Sequence, residues 1–258
     1  HVTGVQTCGS SDLDIPMLSQ VVAHLEANPP GEDSKFGLPA ELLRAQAYAL
    51  INQVPESLRL FNEIVDGGQQ PYPAQAALAR TQLLLKTKGA TLEQAIAQLD
   101  KLRFAWRGDD FEFRLLVQLG DYYLQSGDYR NGLSTLRQTM GLFPDASKTE
   151  GIATRVNNVF ADLYLRGGSD QLPPVQALAL YYDFRELTPV GTDGDEMVRR
   201  LADRLVSVDL LQQAAELLDY QVQFRLRGEE KASVAARLAA IYLRSEEHTS
   251  ELQSRGLI

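Results

Sequence analysis

Side chains able to do chemistry are few in this 258-residue chain, and their spacing is regular. The densest acidic group is Asp193, Asp195 and Glu196, residue types that hold a divalent cation or exchange protons. They lack the interleaved ligands and closing Glu of a calcium loop. They also sit where a helix is expected to begin, and there the partial positive charge of the helix N-terminus is sufficient reason for carboxylates. Asp121, Asp162 and Asp203 recur at intervals of 41 residues, with Arg114, Arg155 and Glu196 each seven residues ahead of one of them. Such a ladder offers pairing, with arginine taking acidic groups and aspartate taking N–H or basic groups. Phe104, Trp106, Phe111 and Phe113 surround the Arg107-Gly108-Asp109 turn. They either anchor a partner or pack a seam between neighbouring helices. Asp109 has a sufficient role as a helix cap, so the Arg-Gly-Asp triplet is read as coincidental. His24 has no nucleophile or ligand near it in sequence and is read as a surface or seam residue.

The two ends read differently from the middle. Residues 1–13, from His1 through Cys8 to Leu13, resemble a translated sequencing-library adapter, and 244–258, opening on Arg244-Ser-Glu-Glu-His, resembles its reverse complement. Setting such segments aside before reading a fold leaves 14–243, expected to be an interior stretch of a longer protein. Cys8, His1 and His248 leave with the ends, so His24 becomes the only imidazole and no thiol remains. Disulfides, cysteine nucleophiles, Cys/His zinc sites and Ser/His/Asp triads lose their raw material. No catalytic residue, cofactor or metal set is expected, and the chain is read as not an enzyme. Chains without cysteine suit oxidising and reducing compartments alike. The net charge is −9 overall. Without Arg244, Arg255, Asp12, Glu246, Glu247 and Glu251 it is −7, from 23 basic and 30 acidic residues. That balance, with no Lys/Arg cluster, argues against a nucleic-acid surface. No apolar run reaches the roughly 18 residues a membrane span needs.

The elements that carry these residues are periodic helices. Leu116, Leu119, Gly120, Tyr123, Gly127, Tyr129, Gly132, Leu136 and Pro144 place a small residue, an aromatic three later, a small residue twelve later, a bulky one and a closing proline. This spacing resembles the tetratricopeptide repeat. The frame recurs at Ala45, Ala79, Ala161, Ala202 and Ala239, with Gly120 between the second and third. Tyr48, Ser57 and Phe61 fill it after Ala45. Tyr164, Ala177, Tyr181, Phe184 and Pro189 fill it after Ala161, with an insertion over 167–174, and Leu205, Ala214 and Leu218 after Ala202. The Ala79 unit, with Ala95, Leu99 and Leu102, lacks the aromatic and carries an inserted turn over 87–90. Thr91 with Gln94, Asp109 with Glu112, Ser147 with Glu150 and Asp193 with Glu196 have capping-box spacing. The fold expected is all-α, a right-handed α-solenoid of five hairpins and half of a sixth over 38–243, about twelve helices in the chain. Because each hairpin needs a neighbour to cover its apolar face, Val234, Leu238, Ile241 and Tyr242 of the last half-hairpin are expected to face water. Each forgoes roughly 1.5–3 kcal/mol if left unburied. Fraying, or self-association through that end, is the expected result.

In the family resembled here the first helix of each pair lines a concave groove. That implies a partner-binding floor of Arg114, Asp121, Leu124, Arg155, Asp162, Arg166, Arg199 and Asp203, with apolar Leu165 and Val206 beside it. An extended peptide or protein segment is the ligand implied. The competing reading is that arginines and aspartates of successive repeats pair with each other, exposed pairs being worth only about 0–1 kcal/mol. The Lys and Asn set of the carboxylate-clamp version is absent, which leaves recognition of a free C-terminal carboxylate without its residues. The function expected is a non-catalytic interaction scaffold. Its rivals are the substrate-positioning arm of a larger multidomain cell-envelope enzyme whose catalytic domain lies outside this chain, and an assembly subunit that stacks end to end. The resemblance points to the bacterial periplasm or envelope, with the cytoplasm as the alternative.

Overall fold

The computed structural model describes residues 15–29, 36–105, 107 and 109–254. Among them lie twelve α-helices and no strand. They are α1 (Ile15–Ala27), α2 (Gly37–Leu50), α3 (Val54–Gly67), α4 (Tyr72–Lys86), α5 (Leu92–Leu102) and α6 (Asp109–Gln125). They continue as α7 (Tyr129–Leu142), α8 (Ala146–Leu165), α9 (Pro174–Asp183), α10 (Thr192–Ser207), α11 (Leu211–Phe224) and α12 (Gly228–Ser254). Helices α1 to α6 pack each on the next, as do α9 to α12, and α2 also meets α4 while α8 meets α10. The result is an all-α helical repeat. Ala45, Ala79, Gly120, Ala161, Ala202 and Ala239 fall on α2, α4, α6, α8, α10 and α12, so the sequence frame selects every second helix. The chain divides into two compact units, the first ending at Thr139 and the second starting at Met140.

In the first unit the small positions allow close approach. A Cβ on Gly120 would lie 2.7 Å from the side chain of Leu136 on α7, and one on Gly132 would lie 2.5 Å from Leu124 on α6. Ser57 on α3 donates from its buried hydroxyl to the carbonyl of Ala45 on α2 at 2.7 Å. Leu42, Tyr48, Leu60, Phe61, Ile64 and Leu83 form one core cluster, and Leu78, Leu99, Phe111, Leu115 and Leu119 belong to another. Thr91 caps α5 in a full capping box with Gln94, as its spacing predicts.

A recurrent closure ends the first helix of four pairs. Asn52, Lys88, Gly127 and Asp209 adopt positive φ, at 63°, 59°, 83° and 65°. The N–H of each following residue donates back across five positions, Gln53 to Tyr48, Gly89 to Leu84, Asp128 to Tyr123 and Leu210 to Leu205, at 2.7–2.9 Å. The positive-φ residue itself donates three positions back in every case. These are Schellman ends, which satisfy the orphan carbonyls of α2, α4, α6 and α10. Only one of the four uses glycine; Asn52 and Asp209 have short polar side chains that tolerate the left-handed region, and Lys88 bears its usual cost of about 1–2 kcal/mol. Lys88→Gly is therefore expected to stabilise the first unit by about 0.5–1 kcal/mol, once glycine's larger unfolded-state freedom is set against the relief. Chemical denaturation checks this, and a midpoint that falls would refute it.

In the second unit Phe160, Tyr164 and Tyr181 build an aromatic core. Ring centroids lie 5.1 Å apart for Phe160 and Tyr164, 6.3 Å for Phe160 and Tyr181, and 5.9 Å for Tyr164 and Tyr181. The Tyr164 hydroxyl donates to the carbonyl of Ala177 at 2.8 Å, joining the aromatic position of α8 to the small position of α9. Burial, aided by the nearby Tyr181 phenol, pushes the Tyr164 phenol well above its ordinary range. The neutral phenol is thus favoured by the fold. Its contribution is complete below the unfolded phenol value, about 10, and is lost as pH rises beyond it. Tyr164→Phe is expected to cost about 1–2 kcal/mol at neutral pH, by orphaning the Ala177 carbonyl, and to flatten the fall in stability above pH ~10. Unfolding curves at pH 7 and pH 11 measure both effects.

Three local expectations need correction. Ser147 does not cap α8, because Asp145 precedes it and accepts from both its N–H at 3.0 Å and its hydroxyl at 2.8 Å. Helix α10 begins at Thr192 after Gly191 with no side-chain cap, so Asp193 is already inside the first turn. Val234, Leu238 and Ile241 do not face water. They are buried, with α12 packed on α11, and the helix runs on without a break to Ser254. Tyr242 does remain half exposed, and Ala239 is exposed rather than packed. Three apolar residues on one stripe of α12 suffice to seat it, because α11 already offers a complementary face.

Candidate partner-binding surface

Of the expected groove residues, α6 carries Arg114, Asp121 and Leu124. Arg114 is exposed, donates from Nε to the Asp110 carbonyl at 3.3 Å, and with Gln75, Asp110 and Phe111 lines a shallow recess of about 350 Å³. Asp121 is half-buried. Its charge adds to burial in raising the phenol of Tyr122. Leu124 is half-buried, and its side chain lies against Gly132 on α7. A missing Cβ there opens a hole that the nearest leucine fills, and that contact is invisible from the periodicity of α6 alone. The aromatic quartet also divides. Phe111 is buried in the core while Phe104 is 73% exposed. Trp106, Gly108 and the side chain of Asp109 lie outside the described residues, as do His1 and Cys8.

In the second unit the charged positions are engaged with each other. Asp162 pairs with Arg166 at 3.1 Å along α8, both largely exposed. Arg199 pairs with Glu196 at 3.2 Å on α10, and Arg200 reaches the same carboxylate at 2.7 Å. The hydrogen bond from Arg200 and the weaker one from Arg199 hold the Glu196 carboxyl below the usual range. Arg155 is half-buried in α8 and takes part in further interactions. Asp203 forms an ion pair with Arg237 of α12, linking the first helices of successive repeats. It also lines a cleft of about 420 Å³ with Tyr164, Gly167, Asp170, Arg200 and Ser207. Arg204 braces the short turn of Gly168–Gln171 beside it, donating to the carbonyls of Ser169, Asp170 and Leu172. Leu165 contributes its backbone, its carbonyl accepting from Arg200 at 2.6 Å. The pairing of repeats that competes with an open ladder is therefore present at Asp203.

The acidic group at the start of α10 is pulled apart by its partners. Asp195 is buried and accepts from Arg225 Nε at 2.7 Å and from Gln221 Nε2 at 3.3 Å, while Glu196 turns to its own helix. A Cβ on Gly194 would fall 2.0 Å from the Pro189 carbonyl oxygen, so the corner closes only around glycine. Among the described residues no three His, Cys, Asp or Glu side chains gather as a metal site. None of the described helices is long and apolar enough to cross a membrane. His24 is exposed near the end of α1, 3.5 Å from the Asn28 amide.

The second unit also holds a concavity outside the sequence reading. A cleft of about 550 Å³ is lined by Tyr181, Tyr182, Arg185, Glu186, Thr188, Glu216, Leu217, Tyr220 and Arg225. Its residues come from the end of α9, the turn after it, and α11. Tyr181 was legible as a core position, but Tyr182 and Tyr220 carry no motif. Their only signal was aromatic residues on helix faces that the repeat frame leaves unassigned. Burial first, then the Glu216 charge, raise the Tyr182 phenol, and Arg185 opposes them. No family model matches the chain, and no curated protein matches it.

Proposed function

We propose that this chain is a non-catalytic interaction scaffold of the tetratricopeptide-repeat type, holding a peptide or protein partner along its first helices. The observation that carries the reading is the cleft between α8 and α10, where Asp203, Arg200, Asp170 and Ser207 surround about 420 Å³. Donors and acceptors of both signs on rigid helices suit an extended backbone with charged side chains. A partner carboxylate competes with Glu196 for Arg200, and a partner cation competes with Arg237 for Asp203. Exchange of this kind costs little, because exposed pairs contribute only about 0–1 kcal/mol. The same logic extends to Arg114 and Asp121 on α6, and to Arg155, Asp162 and Arg166 on α8.

The test reverses Asp121, Asp162 and Asp203 to Lys singly and together, with Asp66→Lys on α3 as a surface control. Retention of partners from bacterial envelope and cytosolic extracts is expected to fall about tenfold in the triple variant, since like charges brought together cost several kcal/mol. The control should retain wild-type capture. Unchanged capture by the triple variant, with its helical signal intact, would remove these aspartates from the mechanism.

A further inference from the structure

The cleft at α9 and α11 shares no lining residue with the charged cleft at Asp203, and its lining points to a ligand of its own. Tyr182 is 43% exposed, Tyr220 56% and Phe224 71%, with Tyr220 and Phe224 in ring contact at 5.2 Å and Tyr181 against Tyr182 at 5.8 Å. Aromatic residues at this density on a surface are the side chains that anchor partners, because they bring large contact area with few rotatable bonds. The volume of about 550 Å³ fits one or two amino-acid side chains.

The charges around the tyrosines separate into used and unused. Arg225 is spent on structure, with Nε on Asp195 at 2.7 Å and Nη2 on the Pro189 carbonyl at 3.2 Å. The Arg185 guanidinium makes no hydrogen bond or ion pair among the described residues. Glu216 is exposed and touches only the Gln212 amide, at 3.3 Å, among the described residues. Both line the same cleft as Tyr182, so an available cation and an available anion stand beside one aromatic wall. The hydroxyl of Thr188 is buried in the same lining with no partner among the described residues.

We infer that this cleft is a second binding site, one that takes a peptide segment with an aromatic or large aliphatic residue flanked by one acidic and one basic residue. The apolar side chain enters between Tyr182 and Tyr220, its acidic neighbour pairs with Arg185, and its basic neighbour pairs with Glu216. The charge complementarity sets the sequence preference, and the tyrosines supply the anchor.

The 258-residue chain labelled on its tyrosine rings would be titrated by NMR with four capped tripeptides: acetyl-Glu-Phe-Lys-amide, acetyl-Glu-Gly-Lys-amide, acetyl-Lys-Phe-Lys-amide and acetyl-Glu-Phe-Glu-amide. The first is expected to shift the Tyr182 and Tyr220 signals with a dissociation constant on the order of 1 mM, as befits so small a ligand. Replacing Phe by Gly should weaken binding about tenfold, and either like-charge peptide about fivefold. Arg185→Glu, a surface change, should move the preference to acetyl-Lys-Phe-Lys-amide, and Tyr220→Ala should abolish the response of Tyr182. No shift up to about 10 mM would overturn the site. Equal shifts with the three Phe peptides, or a preference unmoved by Arg185→Glu, would overturn the charge assignment and leave only apolar adhesion.

Discussion

Phe160→Ala is expected to destabilise the second unit by about 3–5 kcal/mol, the range for deleting a fully buried aromatic ring. Phe160 is 0% exposed and touches both Tyr164 and Tyr181. The cavity would lie where three rings meet, and α8 and α9 cannot close it without also moving the Tyr164 hydroxyl off the Ala177 carbonyl. The contrast is Phe104→Ala, expected to stay within about 0.5 kcal/mol because that ring is already in water. Hydrogen exchange resolves the two, since repeat stability is local. Protection of the α8 and α9 amides should drop in the first variant and hold in the second. Because Tyr181 forms both the aromatic core and a wall of the cleft, the first variant should also weaken any ligand held there. Unchanged exchange in α8 would show that the ring contributes far less than its burial implies.

Asp195→Ala is expected to cost about 3 kcal/mol. Breaking a buried pair leaves an uncompensated charge, which costs about 3–5 kcal/mol, and the lower end applies because the Arg225 side chain keeps some access to water. The carboxylate is also where Gln221, itself fully buried, places its amide. One substitution therefore leaves the guanidinium without its carboxylate, while the Gln221 amide keeps the Asp195 carbonyl at 2.8 Å and Arg225 keeps the Pro189 carbonyl. Arg225→Ala in the same background should recover part of the loss, with a coupling of about 0.5–3 kcal/mol in a double-mutant cycle. Strict additivity would mean that the 2.7 Å contact carries no energy of its own. Since Arg225 also forms one edge of the tyrosine cleft, the single variant is expected to disturb that site while the charge ladder on α6 keeps its behaviour.

These two residues mark different degrees of legibility. Tyr164, Ala177 and Tyr181 carry the repeat spacing, whereas Phe160, which completes their aromatic core, holds no position in that frame. Asp195 was read with Asp193 and Glu196 as an N-terminal acidic cluster, and that is true of its position on α10. Its partners, Gln221 and Arg225, stand 26 and 30 residues away on the next helix and its end. No local pattern announces a pair whose members meet only when α10 and α11 are packed. The contact of Leu124 with Gly132 is hidden for the same reason, because the small residue belongs to the opposite helix.

What the amino-acid order determined alone was the helical class and the identity of the first helix in each pair. Those follow from the spacing of small, aromatic and bulky residues, a property of the chain's own period. Helix ends were half determined. Gly127 is readable as a closing glycine, and Asn52 and Asp209 are types that tolerate the left-handed turn, but Lys88 takes it with a side chain that does not advertise it. Only the packed structure decided which charges are spent and which are free. Asp203 and Arg237, or Asp195 and Arg225, find each other through space, whereas Arg185 and Glu216 are left beside two exposed tyrosines. The physical reason is that periodicity records which face of a helix is apolar, while pairing and cavities depend on what the neighbouring helix brings to within about 3 Å.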